Sequence, residues 1–145
     1  MDSSTLPTRL AETRDDFLAL GVSDRLQLLL EFSNELPSLP AEYDEHPDLL
    51  ERVVECQSPV FIFVEVVDGI AHLHATAPAE SPTTRGFASI LVQGIDGLAP
   101  QQVLAIPDDY PQTLGLGEAV SPLRVRGMTA MLARVKRQLR EQLPA

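Results

Sequence analysis

The chain has 145 residues, 44% hydrophobic and 22% charged, with a formal net charge of −10. That length suits one domain burying on the order of two thirds of its unfolded surface, and so ordinary a composition excludes a disordered or collagen-like chain. The acidic balance opposes nucleic-acid binding, which needs a continuous surplus of Lys and Arg.

No window approaches the run of about 18 apolar residues that a membrane helix requires, and MDSSTLPTRL lacks the basic and apolar segments of a secretory signal. A cytoplasmic protein with no membrane contact is expected, with residues 1–8 disordered ahead of a single domain over 1–145. Charge is unevenly spread: Arg124, Arg126, Arg134, Lys136, Arg137 and Arg140 oppose only Glu141 after residue 123, leaving −15 on residues 1–123. Such polarity orients a protein partner or complements the dipole of a C-terminal helix.

In chain order, residues 9–20 place Leu10, Phe17 and Leu18 near one helical face and stop at Gly21. A second helix is expected from Ser23, a capping hydroxyl, with Asp24 in its first turn and Leu26, Leu29, Leu30 and Phe32 offered to a core. The prolines of LPSLP end it. An acidic connection follows, with a short helix expected at Asp48–Arg52. PVFIFVEVVDGIAHLHATA then holds two β-prone runs around Asp68-Gly69, the pattern of an antiparallel hairpin.

Alternation along the second run puts His72 and His74 on one face. Only His46 remains as a third histidine, and a solvated strand face explains the pair as well as a metal does. After the loop-like APAESPTTRG, a buried core helix is expected from about Pro82 to Gly94–Gly97. LAPQQVLAIP and DDYPQTLGLGEAV read as short helical turns. Ser121-Pro122 opens the last helix, a capping hydroxyl followed by proline at the first helical position, and Met128, Met131, Leu132, Val135 and Leu139 form its apolar stripe. Helices, a small antiparallel sheet and further helices make an α+β chain.

Most catalytic constellations are missing. There is no G-x-S-x-G elbow and no phosphate loop, and Gly115-Leu116-Gly117 lacks the strand and third glycine of a dinucleotide site. The acidic residues from Glu42 to Glu55 fit a solvated connection as well as a pair of catalytic carboxylates. Cys56 is the one residue of distinctive reactivity, and being the only cysteine it forms no internal disulfide and holds no cluster alone.

By itself a lone cysteine beside apolar residues is more often packing than nucleophile. Here, however, Gln57, Ser58 and Pro59 place it where a polar connection meets a strand, and such loops tend to carry function. A thiolate would need a nearby cation, and the adjacent Glu55 opposes it. Arg85, Arg124 and Arg126 are the candidate cations.

LPSLPAEY, VVECQSPVFI, TTRGFASILVQGIDGLAPQQVLAI and LGLGEAVSPLRVRGMTAMLARVKRQL, in that order over about residues 10–142, resemble the SufE family of cysteine desulfuration proteins. The most specific pieces are Cys56-Gln57-Ser58 before an apolar strand and the SP-x-R-x-x-G of Ser121 to Gly127. The resemblance implies two N-terminal helices, a three-stranded antiparallel sheet and helices packed on one side. It also implies that Cys56 lies on a loop between strands, sheltered in the free protein, and must swing out to react.

The function implied is that of a sulfur acceptor. Persulfide sulfur passes from a cysteine desulfurase to Cys56, the desulfurase is stimulated, and the sulfur goes on to an iron–sulfur scaffold complex. Arg124 is the supporting cation, and Gln57 and Ser58 shape the cysteine loop. The protein would be a sulfur-transfer accessory, a monomer or weak homodimer with no cofactor of its own; pyridoxal phosphate belongs to the desulfurase. The alternatives are an activator that carries no sulfur, an acceptor for another route such as transfer-RNA thiolation, and a peroxide-sensing thiol. Two positions depart from the family pattern: Glu55 stands where glycine is usual, and the acidic residue before the core helix is reduced to Glu80.

Overall fold

A computed structural model describes residues 6–143. Residues 1–5 of the lead expected to be disordered lie outside that range; Leu6 and Pro7 are buried, and Thr8 begins the first helix. Helix α1, Thr8–Leu18, buries Leu10, Thr13 and Phe17 along one side. Helix α2, Val22–Asn34, follows after only three residues, so Gly21 serves as its extended N-cap and Ser23, expected to cap, lies inside the first turn. The carbonyls freed at the end of α1 go to Arg25, whose Nε donates to Phe17 O and Leu20 O, both at 2.9 Å.

In α2 only Leu29 of the expected apolar set is fully buried, while Leu26 and Phe32 pack against the core edge. The acidic connection forms two 3₁₀ turns, Ala41–Asp44 and Pro47–Leu49. Of the short helix expected at Asp48–Arg52 only the 3₁₀ turn through Asp48 and Leu49 forms. Glu51–Arg52 is instead strand β1, because the chain here pairs with the next strand, Glu51 with Ile62 and Arg52 with Phe61.

Strands β2, Phe61–Val67, and β3, Ile70–Thr76, form the expected hairpin in register from Phe61↔Thr76 to Val67↔Ile70. Asp68 and Gly69 both take positive φ, 53° and 77°, the geometry that a two-residue turn matching the strand twist requires. The sheet order is β1-β2-β3, all antiparallel. Ile62, Val64, Ala71, Leu73 and Ala75 are buried on one face, against which pack helix α3, Pro82–Ile95, and helix α5, Pro122–Gln142.

On the other face the ring of Tyr43 meets His74 at 5.0 Å and Phe63 at 6.0 Å between centroids. The two histidines there have carboxylate partners: His72 Nδ1 is 3.2 Å from Asp96 Oδ1, and His74 Nε2 is 3.1 Å from Glu65 Oε1. Among the described residues, no group of three His, Cys, Asp or Glu side chains is placed to hold a metal ion.

Helix α3 is buried along most of its length, as its apolar sequence requires. It lies between the sheet and α2. Helix α4, Pro100–Leu104, and 3₁₀ turns at Tyr110–Leu114 and Leu116–Glu118 lead to α5. Ser121 Oγ accepts the Arg124 N–H at 3.3 Å, so the expected serine cap with proline behind it is formed. The result is an α+β fold whose one reactive side chain sits where β1 turns into β2, beside α5.

Candidate functional site

The link from β1 to β2 is a tight reversal. Val53 N–H donates to Val60 O at 2.9 Å, and between them Val54–Cys56 makes a single 3₁₀ turn. Cys56 N–H and Gln57 N–H donate back to Val53 O and Val54 O at 3.1 and 3.2 Å. Gln57 then adopts a left-handed backbone, φ 63°, costing a non-glycine residue about 1–2 kcal/mol. Ser58 Oγ donates to Cys56 O at 3.4 Å, within the turn. Gln57 and Ser58 thus shape the cysteine turn, one by its backbone and the other by its hydroxyl.

The turn lies on α5 at Gly127. Cys56 Sγ donates to Gly127 O at 3.6 Å, and a Cβ added to Gly127 would meet Sγ at 3.2 Å and the Cys56 Cα at 3.3 Å. A glycine in mid-helix ordinarily costs about 1 kcal/mol against alanine, and here it allows the turn to sit against the helix. The half-buried thiol opens into a cavity of about 320 Å³ lined also by Glu55, Gln57, Ser58, Thr84, Leu123 and Arg124. The serines that open α3 and α5, Ser81 and Ser121, line it too.

Arg124 therefore shares a cavity with Cys56, its Nη1 donating to Thr83 Oγ1 at 2.8 Å. The other two candidate cations go elsewhere. Arg85 donates to the carbonyls of Ser33 and Ala77, tying α3 to α2 and to the end of β3. Arg126 faces a different cavity, with Gln112 and Pro122.

A fourth arginine, Arg134, which the sequence reading did not single out, binds the turn itself through Glu55. Its Nη1 lies 2.7 Å from Glu55 Oε1, and its Nε donates to Glu51 Oε2 at 3.1 Å. Glu51 is also bound by Arg137 and by Gln138 Nε2 at 2.9 Å. The seven-residue spacing from Gly127 to Arg134, two helical turns, is a signal that both share a face. Nothing local, however, ties that face to Glu51, 83 positions earlier.

Burial pushes the Cys56 thiol up to about 11, the Glu55 charge adds to this, and Arg134 works against it. The resting thiol is therefore protonated near neutral pH.

An α+β domain presenting one thiol on a strand-to-strand turn, at the mouth of a polar cavity, defines a class of single-cysteine proteins rather than a redox pair or metal centre. The family model SufE, described as Fe-S metabolism associated domain, matches residues 11–139. The chain belongs to that family. It is 52% identical over 139 residues to an uncharacterised SufE-like protein of Mycobacterium tuberculosis, covering 95% of this chain and 96% of that one. It is 22% identical to the cysteine desulfuration protein SufE of Plasmodium falciparum, over 94% of this chain and 55% of that one. The solution structure of a hypothetical protein from Thermus thermophilus superposes with a TM-score of 0.82 at 36% identity, covering 94% and 96% of the two chains.

Proposed function

We propose that the protein accepts persulfide sulfur from a cysteine desulfurase on Cys56 and passes it into iron–sulfur cluster assembly. The observation that carries this reading is the single thiol on a turn at the mouth of a cavity shared with Arg124. The family and the cysteine desulfuration protein among its relatives support it.

The Cys56 thiolate attacks the outer sulfur of the desulfurase persulfide. A new S–S bond forms on Cys56, the enzyme's S–S bond breaks, and the enzyme thiolate leaves with the electron pair. No net oxidation occurs, so the acceptor needs no cofactor of its own. Having no second cysteine, the chain has nothing to discharge the new persulfide into an internal disulfide. Arg124 at the cavity offers a positive charge to the persulfide anion. The proton on the resting thiol leaves when the turn moves outward and water reaches Sγ, since burial is the main brake on ionisation.

Desulfurase, cysteine and this protein are mixed, and sulfide release and intact mass are followed. Release rises severalfold and the mass gains one sulfur; Cys56→Ser abolishes both. Retained stimulation by Cys56→Ser would instead identify an activator that carries no sulfur.

A further inference from the structure

The Cys56 turn is held in place by few groups. Val54 is 63% exposed; Glu55 and Gln57 are exposed as well, so Cys56, half-buried against the core, is the side chain of the turn that apolar burial ties down. The Sγ contact with Gly127 O is a weak thiol hydrogen bond, the Ser58 bond is internal to the turn, and Gln57 holds a left-handed backbone that a non-glycine residue adopts at a cost. Among the described residues, the ion pair of Glu55 with Arg134 is the one charged contact between this turn and the rest of the fold.

The base of that pair is firm. Arg134 is 18% exposed on α5, and its Nε is fixed by Glu51, itself held by Arg137 and Gln138. Of the two carboxylates on the Arg134 fork, Glu51 belongs to the sheet and Glu55 to the turn. Glu55 is the limb free to leave.

We propose that the Arg134 fork is the latch that holds the Cys56 turn closed against α5, with Arg134 a positioning residue and Glu55 the releasable catch. Gly127 gives the turn its seat and the fork keeps it there. Letting go of Glu55 swings the thiol outward while β1 and α5 stay joined through Glu51. The part of the idea that concerns handover rests on the sulfur-acceptor reading; the part that concerns closure does not.

Two measurements test it on the full-length protein. Hydrogen exchange reads closure without any partner: in Arg134→Met and in Glu55→Ala the Cys56 and Gln57 amides exchange about tenfold faster than in wild type, while β2 and β3 amides keep their protection. The double variant exchanges no faster than the quicker single one, because both changes break the same pair. Unchanged exchange at these two amides in Glu55→Ala, or additive effects in the double variant, overturns the latch. Should Arg134→Met fail to fold, Glu55→Ala decides alone, since it removes an exposed side chain.

The second measurement titrates each variant against the desulfurase and cysteine. A turn that opens more readily lowers the acceptor concentration giving half-maximal stimulation, roughly threefold, with a smaller change in the ceiling rate. Arg134→Lys, which keeps one charge but not the fork, falls between. A half-saturation point that is unchanged or raised in Glu55→Ala sinks the coupling to handover. Stimulation absent already in wild type would speak against the sulfur-acceptor reading and leave the exchange result standing.

Discussion

At Cys56 two requirements oppose each other: shelter for a reactive sulfur, and ionisation of the thiol that must attack. The fold favours shelter, since burial first and Glu55 second hold the thiol near 11, with Arg134 only partly compensating. Alkylation of Cys56 by iodoacetamide, followed by intact mass, is therefore slow at neutral pH and rises about tenfold per pH unit from 7 toward 10, because only the thiolate reacts. A midpoint at the ordinary cysteine value would mean that the turn stands open in solution. The same shift has a consequence for stability. The folded state keeps its proton to higher pH than the unfolded chain, so this contribution is complete below the ordinary thiol value and lost as pH rises through about 11.

Among the elements, α3 shows how two glycines set helix packing. A Cβ on Gly86 would lie 2.3 Å from the backbone oxygen of Leu29 in α2, whereas one on Gly94 would press on the Leu10 side chain. Alanine is the better helix former by about 1 kcal/mol, yet at Gly86 a backbone atom blocks it and α2 must shift. Gly86→Ala is expected to cost about 1–3 kcal/mol net and lower the melting temperature by roughly 3–10 °C in a thermal scan. A melting temperature equal to or above wild type would show that α2 yields freely. Strand β2 illustrates a second device. Because β1 is only two residues long, the β2 edge beyond it needs other partners, and α5 supplies them: Gln138 Oε1 accepts Val64 N–H at 2.9 Å, and Gln142 Nε2 donates to Val64 O at 2.6 Å. Two side-chain amides thus stand in for the missing strand and cover an edge that would otherwise invite pairing.

Across the whole molecule, three of the six basic residues after position 123 turn their charge inward. Arg134 and Arg137 on α5 bind Glu51 and Glu55, and the buried Lys136 binds Asp108 at 2.7 Å and the carbonyl of Ile106. The basic helix therefore clamps the acidic first part of its own chain. Burial works to raise the Glu51 carboxyl, but the hydrogen bonds from Gln138 and Arg137 and the charges of Arg137 and Arg134 bring it below its ordinary value. The hydrogen bond and then the charge of Lys136 do the same for Asp108. Lowered carboxyls stabilise the fold above their ordinary values and lose that contribution as pH falls through the lowered ones. The urea midpoint should accordingly decline between pH 5 and pH 3, and less steeply in Glu51→Gln; an identical decline in that variant would remove Glu51 from the clamp.

Periodicity and turn chemistry along the sequence determined α1, the Asp68-Gly69 hairpin, the buried α3 and the Ser121-Pro122 start of α5, because each depends on neighbours within a few positions. Cys56 as the candidate thiol was legible too, since it is the only cysteine. The two-residue β1 was not legible in its own residues, because Glu51 and Arg52 have no strand character until β2 lies beside them; the family resemblance alone implied a strand before Cys56. Nor was the Arg134–Glu55 pair: Arg124 carries the sequence motif and reaches the shared cavity, whereas Arg134 meets Glu55 only because α5 crosses the β1–β2 turn at Gly127. Tertiary structure alone decided which charges became neighbours, for an ion pair depends on distance in space, and chain spacing across a β-turn and a helix carries no record of it.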